Sequence, residues 1–176
     1  MKITKVLCVM ILFSVGLHFT SRAQKKDSLL VQLSRKWVDS KAYALQIAAL
    51  MPEKDYSFKP VPGEMSFKEQ LLHIADNINW LSSDYLLVPS AKRIKDTAVP
   101  DKKAVIKILG DAYDNGLLAH RALSPAQLEE RVSFFAGPLS RRQILVLMHD
   151  HQAHHLGQLI VYLRLKGIKP PEYIGW

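Results

Sequence analysis

Four of the seven histidines stand in one short run, His149-Asp150-His151-Gln152-Ala153-His154-His155. His151 and His155 are four residues apart, a spacing that on a helix stacks two imidazoles one turn apart on one face, where both can ligate a single metal ion. At about 100° per residue, the line through that pair continues through Ile144, Leu147 and Met148 before it and Gln158, Leu159, Tyr162 and Leu165 after it. The spacing therefore predicts that the pair faces inward. The same phase turns His149 to the opposite side and sets His154 about 80° off the stripe, making both surface or rim residues. A purely structural account stands beside this one, in which the pair is neutral, buried and satisfied by backbone or side-chain partners.

The residue types narrow the chemistry. In the helix motif H-E-x-x-H the glutamate after the first histidine is the general base of a zinc peptidase. The equivalent residue here is Gln152, which cannot take a proton from bound water. A closed structural zinc site calls for four ligands, usually including cysteine, and the one cysteine is Cys8. What is left is an open site completed from another part of the chain.

The N-terminal segment bears on where such a site works. Residues 1–23 read as a signal peptide, with Lys2 and Lys5 ahead of an apolar run from Val6 to Leu17 and then Ser21-Arg22-Ala23 before Gln24. The run is short for a membrane span. Export to the periplasm or medium is therefore expected, with an uncleaved membrane anchor as the alternative. Cleavage would remove Cys8 and His18 and leave residues 24–176 as one domain without stable membrane association. Of 24 basic residues Lys2, Lys5 and Arg22 would go, leaving 21 against 16 acidic ones, a net charge of +5. The basic residues are scattered and lack aromatic interleaving, which argues against nucleic acid as a partner.

The elements that must position the histidines are helical. Asp27 to Leu50 repeats apolar residues near every 3.6 positions until Met51-Pro52 ends it. A proline-rich link to Glu64 follows, with Tyr56 and Phe58 as anchors to the rest. Ser66-Phe67-Lys68-Glu69 is a capping box that starts a second helix, expected to run to about Leu87 before Pro89. Asp101 caps a third helix reaching toward Leu123, Ser124-Pro125 opens a short element through Arg131, and Phe134 to Pro138 breaks the chain. The last long helix starts near Ser140 and ends at Lys166-Gly167. Four long amphipathic helices in one small domain predict an all-α four-helix bundle. His120, near the end of the third helix, is expected to complement the helix dipole as a cation.

Three stretches in order resemble the DinB/YfiT-like superfamily. They are Met51-Pro52-Glu53-Lys54-Asp55-Tyr56-Ser57-Phe58-Lys59-Pro60, the helix start Ser66 to Ala75, and His151-x-x-x-His155-x-Gly-Gln-x-x-x-Tyr-Leu-Arg followed by Gly167-Ile168-Lys169-Pro170-Pro171. The resemblance implies a DinB-like four-helix bundle holding a divalent ion with one histidine of the second helix and the pair of the last, here His73, His151 and His155. Phase alone makes His73 a flank residue, about 120° from the centre of its helix's apolar stripe.

Three neutral imidazoles leave coordination positions open, which suits Lewis-acid chemistry on water or a thiolate. Zinc, nickel, iron and manganese all fit such a set. Gln158 is a candidate to orient a ligand from behind, and Trp80 and Tyr162 are candidates for a pocket wall or for core packing. Some relatives in the superfamily are thiol-dependent transferases or isomerases. The expectation is an exported metal-dependent enzyme of thiol transfer or hydrolysis acting on a small molecule, the alternative a non-catalytic metal- or ligand-binding bundle; a homodimer fits either.

Overall fold

The computed structural model describes residues 28–94 and 100–176. The leader expected at residues 1–23 lies outside them. In chain order the elements are α1 (Ser28–Leu50), a single 3-10 turn (Glu53–Asp55), α2 (Phe67–Asp84), α3 (Lys102–Ala122), α4 (Pro125–Glu129), β1 (Arg131–Val132), β2 (Leu139–Ser140) and α5 (Arg141–Leu165).

Side-chain caps set most helix starts. Ser66, Ser124 and Ser140 each accept from the backbone three residues on, while Glu69, Gln127 and Gln143 reach back to complete capping boxes. Asp101 caps α3 through the Ala104 N–H. Helix α2 stops at Asp84, three residues before the expected end, because Leu87 takes φ 64°, a left-handed conformation that no helix interior accommodates. Between α4 and α5 the sequence predicts only a break. The chain there forms a minimal antiparallel hairpin, Arg131 opposite Ser140 and Val132 opposite Leu139, turned with the help of Gly137 at φ 109°. The 51–66 link is pinned as expected, by Tyr56 donating to the Ala48 carbonyl at 2.7 Å and by the Phe58 ring edge-on to Tyr162.

Helices α1 and α2 each pack against both α3 and α5, so α3 and α5 lie diagonally across the bundle. Lys102 at the start of α3 bonds the Ala49 and Met51 carbonyls at the end of α1, and Lys41 pairs with Asp114, so α1 and α3 are antiparallel. Ser82 meets Met148 while Gln70 meets His155, which makes α2 and α5 antiparallel too. The chain returns along α2 after leaving it, with the Lys92 carbonyl on Asn79 and Arg93 on Asp76.

At the centre sits Trp37, 1 % exposed, donating its indole N–H to the Tyr113 carbonyl at 2.8 Å. A Cβ placed on Gly116 would stand 2.4 Å from the Trp37 ring, so the α1–α3 approach depends on that glycine. Gly116→Ala should therefore destabilise the fold by about 1–3 kcal/mol through overpacking, although alanine ordinarily gains about 1 kcal/mol over glycine in a helix. Gly110 is the control: its Cβ would meet only Leu45 at 3.9 Å. Urea denaturation should show Gly110→Ala equal to or more stable than the parent and Gly116→Ala less; equal shifts would refute the clash.

The inward face of α5 is not the expected one. Its buried residues are Ile144, Leu145, Met148, His149, Gln152, His155, Leu156, Leu159, Tyr162 and Leu163, while Leu165 is 58 % exposed. At about 100° per residue this arc centres near Gln152, roughly 70° from the line through His151 and His155. His149 is accordingly a core residue rather than a surface one, and the 151/155 pair occupies the edge of the buried face.

Candidate metal centre

That edge is where α5 meets α2. His73, half-buried on α2, His151, half-buried, and His155, buried, converge there, and one ring nitrogen from each falls within 4.8 Å of the others. Ring centroids are 4.8 Å apart for His73–His151, 4.6 Å for His73–His155 and 4.5 Å for His151–His155. The antiparallel pairing of α2 and α5 brings the flank position of His73 opposite the pair.

All three are held neutral. Burial pushes the His151 and His155 imidazoles down to about 4, with the neighbouring histidines adding repulsion of a second positive charge. Burial lowers His73 as well, opposed by the Asp76 carboxylate. Neutral imidazole is the ligating form.

The donor set fits a divalent ion. His73 Nε2 and His151 Nε2 are 3.1 Å apart. Two nitrogens each about 2.0–2.1 Å from one ion, at roughly 95–110° to each other, are about 3.0–3.4 Å apart. A direct N–H···N bond between neutral rings has a similar length. What sets the cluster apart from a hydrogen-bonded pair is its third member: a ring nitrogen of His155 falls within 4.8 Å of the other two, a donor set that one ion can share. His155 is better supported from behind, its Nδ1 lying 2.5 Å from Gln70 Oε1.

The other candidates are spread along the bundle. Gln158 is half-buried and bonded to Gln70 and His154, behind His155. Tyr162 donates to the Met65 carbonyl at 2.8 Å and packs on Phe58 and Phe67. Trp80 stacks on Phe134 and Phe135 of the hairpin, with Arg93 over its ring. Both aromatics thus make the packing contacts that were one of the two roles expected of them. His154 is exposed, as expected.

Two features escaped the sequence reading. Gln70, 2 % exposed, is the polar residue nearest His155; its signal was a polar side chain in phase with Phe67, Ile74 and Ile78. The second is a histidine pair in the core. His120 Nε2 lies 2.8 Å from His149 Nε2, and His120 Nδ1 lies 2.7 Å from the Gly116 carbonyl. Burial pushes His120 down to about 4 and His149 to about 3, so His120 is neutral and the expected cationic role at the helix end does not hold.

The fold and site together define an all-helical bundle with an imidazole-only centre at the seam of two antiparallel helices. Residues 36–159 match the DinB superfamily, and the chain belongs to it. The Bacillus subtilis protein YjoA is 27 % identical over 130 residues, covering 69 % of this chain and 80 % of YjoA. Its crystal structure, a DinB-like protein, superposes with a TM-score of 0.67 at 21 % identity, covering 82 % of this chain and 99 % of that one. A DinB-like protein from Bacillus cereus gives 0.71 at 20 % identity, covering 80 % and 95 %. A protein assigned to the DinB family from Exiguobacterium sibiricum gives 0.65 at 17 % identity, covering 81 % and 94 %.

Proposed function

We propose that this chain is an exported metalloprotein that binds one divalent ion through His73, His151 and His155 and uses it on a small molecule, by thiol transfer or hydrolysis. The observation that carries the reading is the convergence of ring nitrogens from three neutral imidazoles within 4.8 Å of one another. A bound ion would supply Lewis acidity, lowering the pKa of a coordinated water or thiol toward neutrality. The chain's own part is to present three lone pairs, to orient His155 through Gln70 and to limit water at the seam.

One observation favours the non-catalytic alternative. Asp76, the carboxylate whose charge acts on His73, is held by Arg93 at 2.8 and 2.5 Å and by the Ile94 N–H at 2.8 Å, so it is not a free general base. Cobalt(II) loading separates the readings. One ion per chain should bind near neutral pH, and glutathione should then add a thiolate-to-metal absorption band. Absence of bound metal would sink the proposal; metal without any response to thiol would leave hydrolysis or simple binding.

Export rests on the charged, apolar and small-residue order of residues 1–23. Among the described residues no helix is long and apolar enough to cross a membrane. Intact-mass measurement of the native protein should find a chain beginning at Gln24 or its cyclised form. A full-length soluble chain in the cytoplasm would reject export, and a full-length membrane-bound one would support the anchor.

A further inference from the structure

Behind the imidazole cluster runs a line of hydrogen bonds that links both helices. His155 Nδ1 is 2.5 Å from Gln70 Oε1, Gln70 Nε2 donates to Gln158 Oε1 at 2.7 Å, and Gln158 Nε2 is 3.2 Å from His154 Nε2. Gln70 is 2 % exposed and His155 9 %, whereas Gln158 is half-buried and His154 exposed. The line therefore runs from the buried ligand outward to solvent.

A carboxamide oxygen only accepts, so an Oε1 facing His155 requires the proton on Nδ1. The His155 proton is then on the side away from His73 and His151, and the Nε2 lone pair is the one free to ligate. The line has a second internally consistent state with both amides turned over. In that state Gln70 Nε2–H donates to His155 Nδ1 and the histidine proton moves to Nε2, where it blocks coordination. One amide decides between a ligand and a non-ligand.

We infer that Gln70 is a positioning residue for the metal centre, holding His155 as the Nδ1–H tautomer, and that Gln158 acts one step further back by fixing which end of the Gln70 amide faces the ring. This rests on the metal-binding reading above. Partners behind a ligating histidine fix its tautomer and orientation, and their loss typically costs about 10–100-fold in metal affinity. Gln70 does so from the neighbouring helix, so the ligand on α5 is aimed by α2, which also carries His73. His154 ends the line in solvent, where water replaces it, and its removal leaves His155 as it is.

Long-range 1H–15N spectra of the imidazole nitrogens in the metal-free protein, with zinc titration by calorimetry, test this. The wild type should show His155 protonated at Nδ1. Gln70→Leu should shift His155 toward the Nε2–H form and weaken zinc about 10–100-fold. Gln70→Glu should restore Nδ1–H and most of the affinity, since a carboxylate also accepts from Nδ1–H, which rules out a general loss of folding as the cause. Gln158→Leu should give a smaller shift in the same direction. Nε2–H in the wild type, or unchanged affinity in Gln70→Leu, overturns the inference. If the wild type binds no zinc, the metal-binding reading fails, while the His155 tautomer still decides whether Gln70 positions the ring.

Discussion

Addition of zinc or nickel to the metal-free protein raises its melting temperature by roughly 5–10 °C at 100 times the dissociation constant. Such a ligand, binding only the native state, contributes about 2.7 kcal/mol, and a domain of this size gains about 2–4 °C per kcal/mol. His73→Ala, His151→Ala and His155→Ala each remove most of the rise, because every one deletes a ligand from a three-nitrogen set. His154→Ala leaves it nearly intact, its ring being exposed. His149→Ala lowers the melting temperature of the metal-free protein, since it empties a site in the core, but keeps the metal increment. The increment fades as pH falls toward about 4, where protons compete for His151 and His155. Differential scanning fluorimetry across the five variants checks this; three triad variants that respond to metal like His154→Ala would discard the site.

Acid should unfold the protein early. Unfolded histidines titrate near 6.5, whereas burial holds His120 and His151 down to about 4, His155 to about 4 and His149 to about 3 in the fold. Between those limits the unfolded chain binds more protons than the native one. Stability is thus fully present above about pH 6.5 and falls as pH drops toward 4, at up to about 1.4 kcal/mol per pH unit for each such histidine. The core pair alone makes the loss on the order of a few kcal/mol. Urea denaturation at intervals from pH 8 to pH 4.5 should give a plateau followed by a decline. His149→Leu should make the decline shallower whatever it does to the plateau. A flat profile from pH 7 to pH 5 would contradict burial of the pair.

Helix starts were legible because capping is local. Ser66 with Glu69 and Asp101 are neighbours in the chain of the backbone groups they satisfy. Convergence of His73 on the pair was legible only through family resemblance, since helical phase places it on a flank and says nothing of which helix stands opposite. The face of α5 was misjudged for a related reason. Drawing the buried stripe through the His151–His155 line turns His149 outward by phase, yet Gln152 accepts from the Tyr113 hydroxyl at 2.8 Å and His149 pairs with His120. Partners from another helix make those residues fit for the core. Such partners lie 39 and 29 positions away along the chain, beyond the reach of any local pattern. Gln70 was overlooked in the same way.

The two hydrogen bonds that span the diagonal from α3 to α5, Tyr113 to Gln152 and His120 to His149, also constrain how this sequence can change over generations. Replacing one member by an apolar residue strands a polar atom in the dry interior, at about 1–3 kcal/mol, whereas replacing both by groups of matching shape can be nearly neutral. Positions 113 and 152, and positions 120 and 149, should switch together among descendants of this chain, with single-site intermediates purged wherever the fold has little stability to spare. At the α2–α5 seam the same restraint ties buried His155 to Gln70, whereas His73 is half-buried, so its persistence in a lineage would record selection for what the cluster binds.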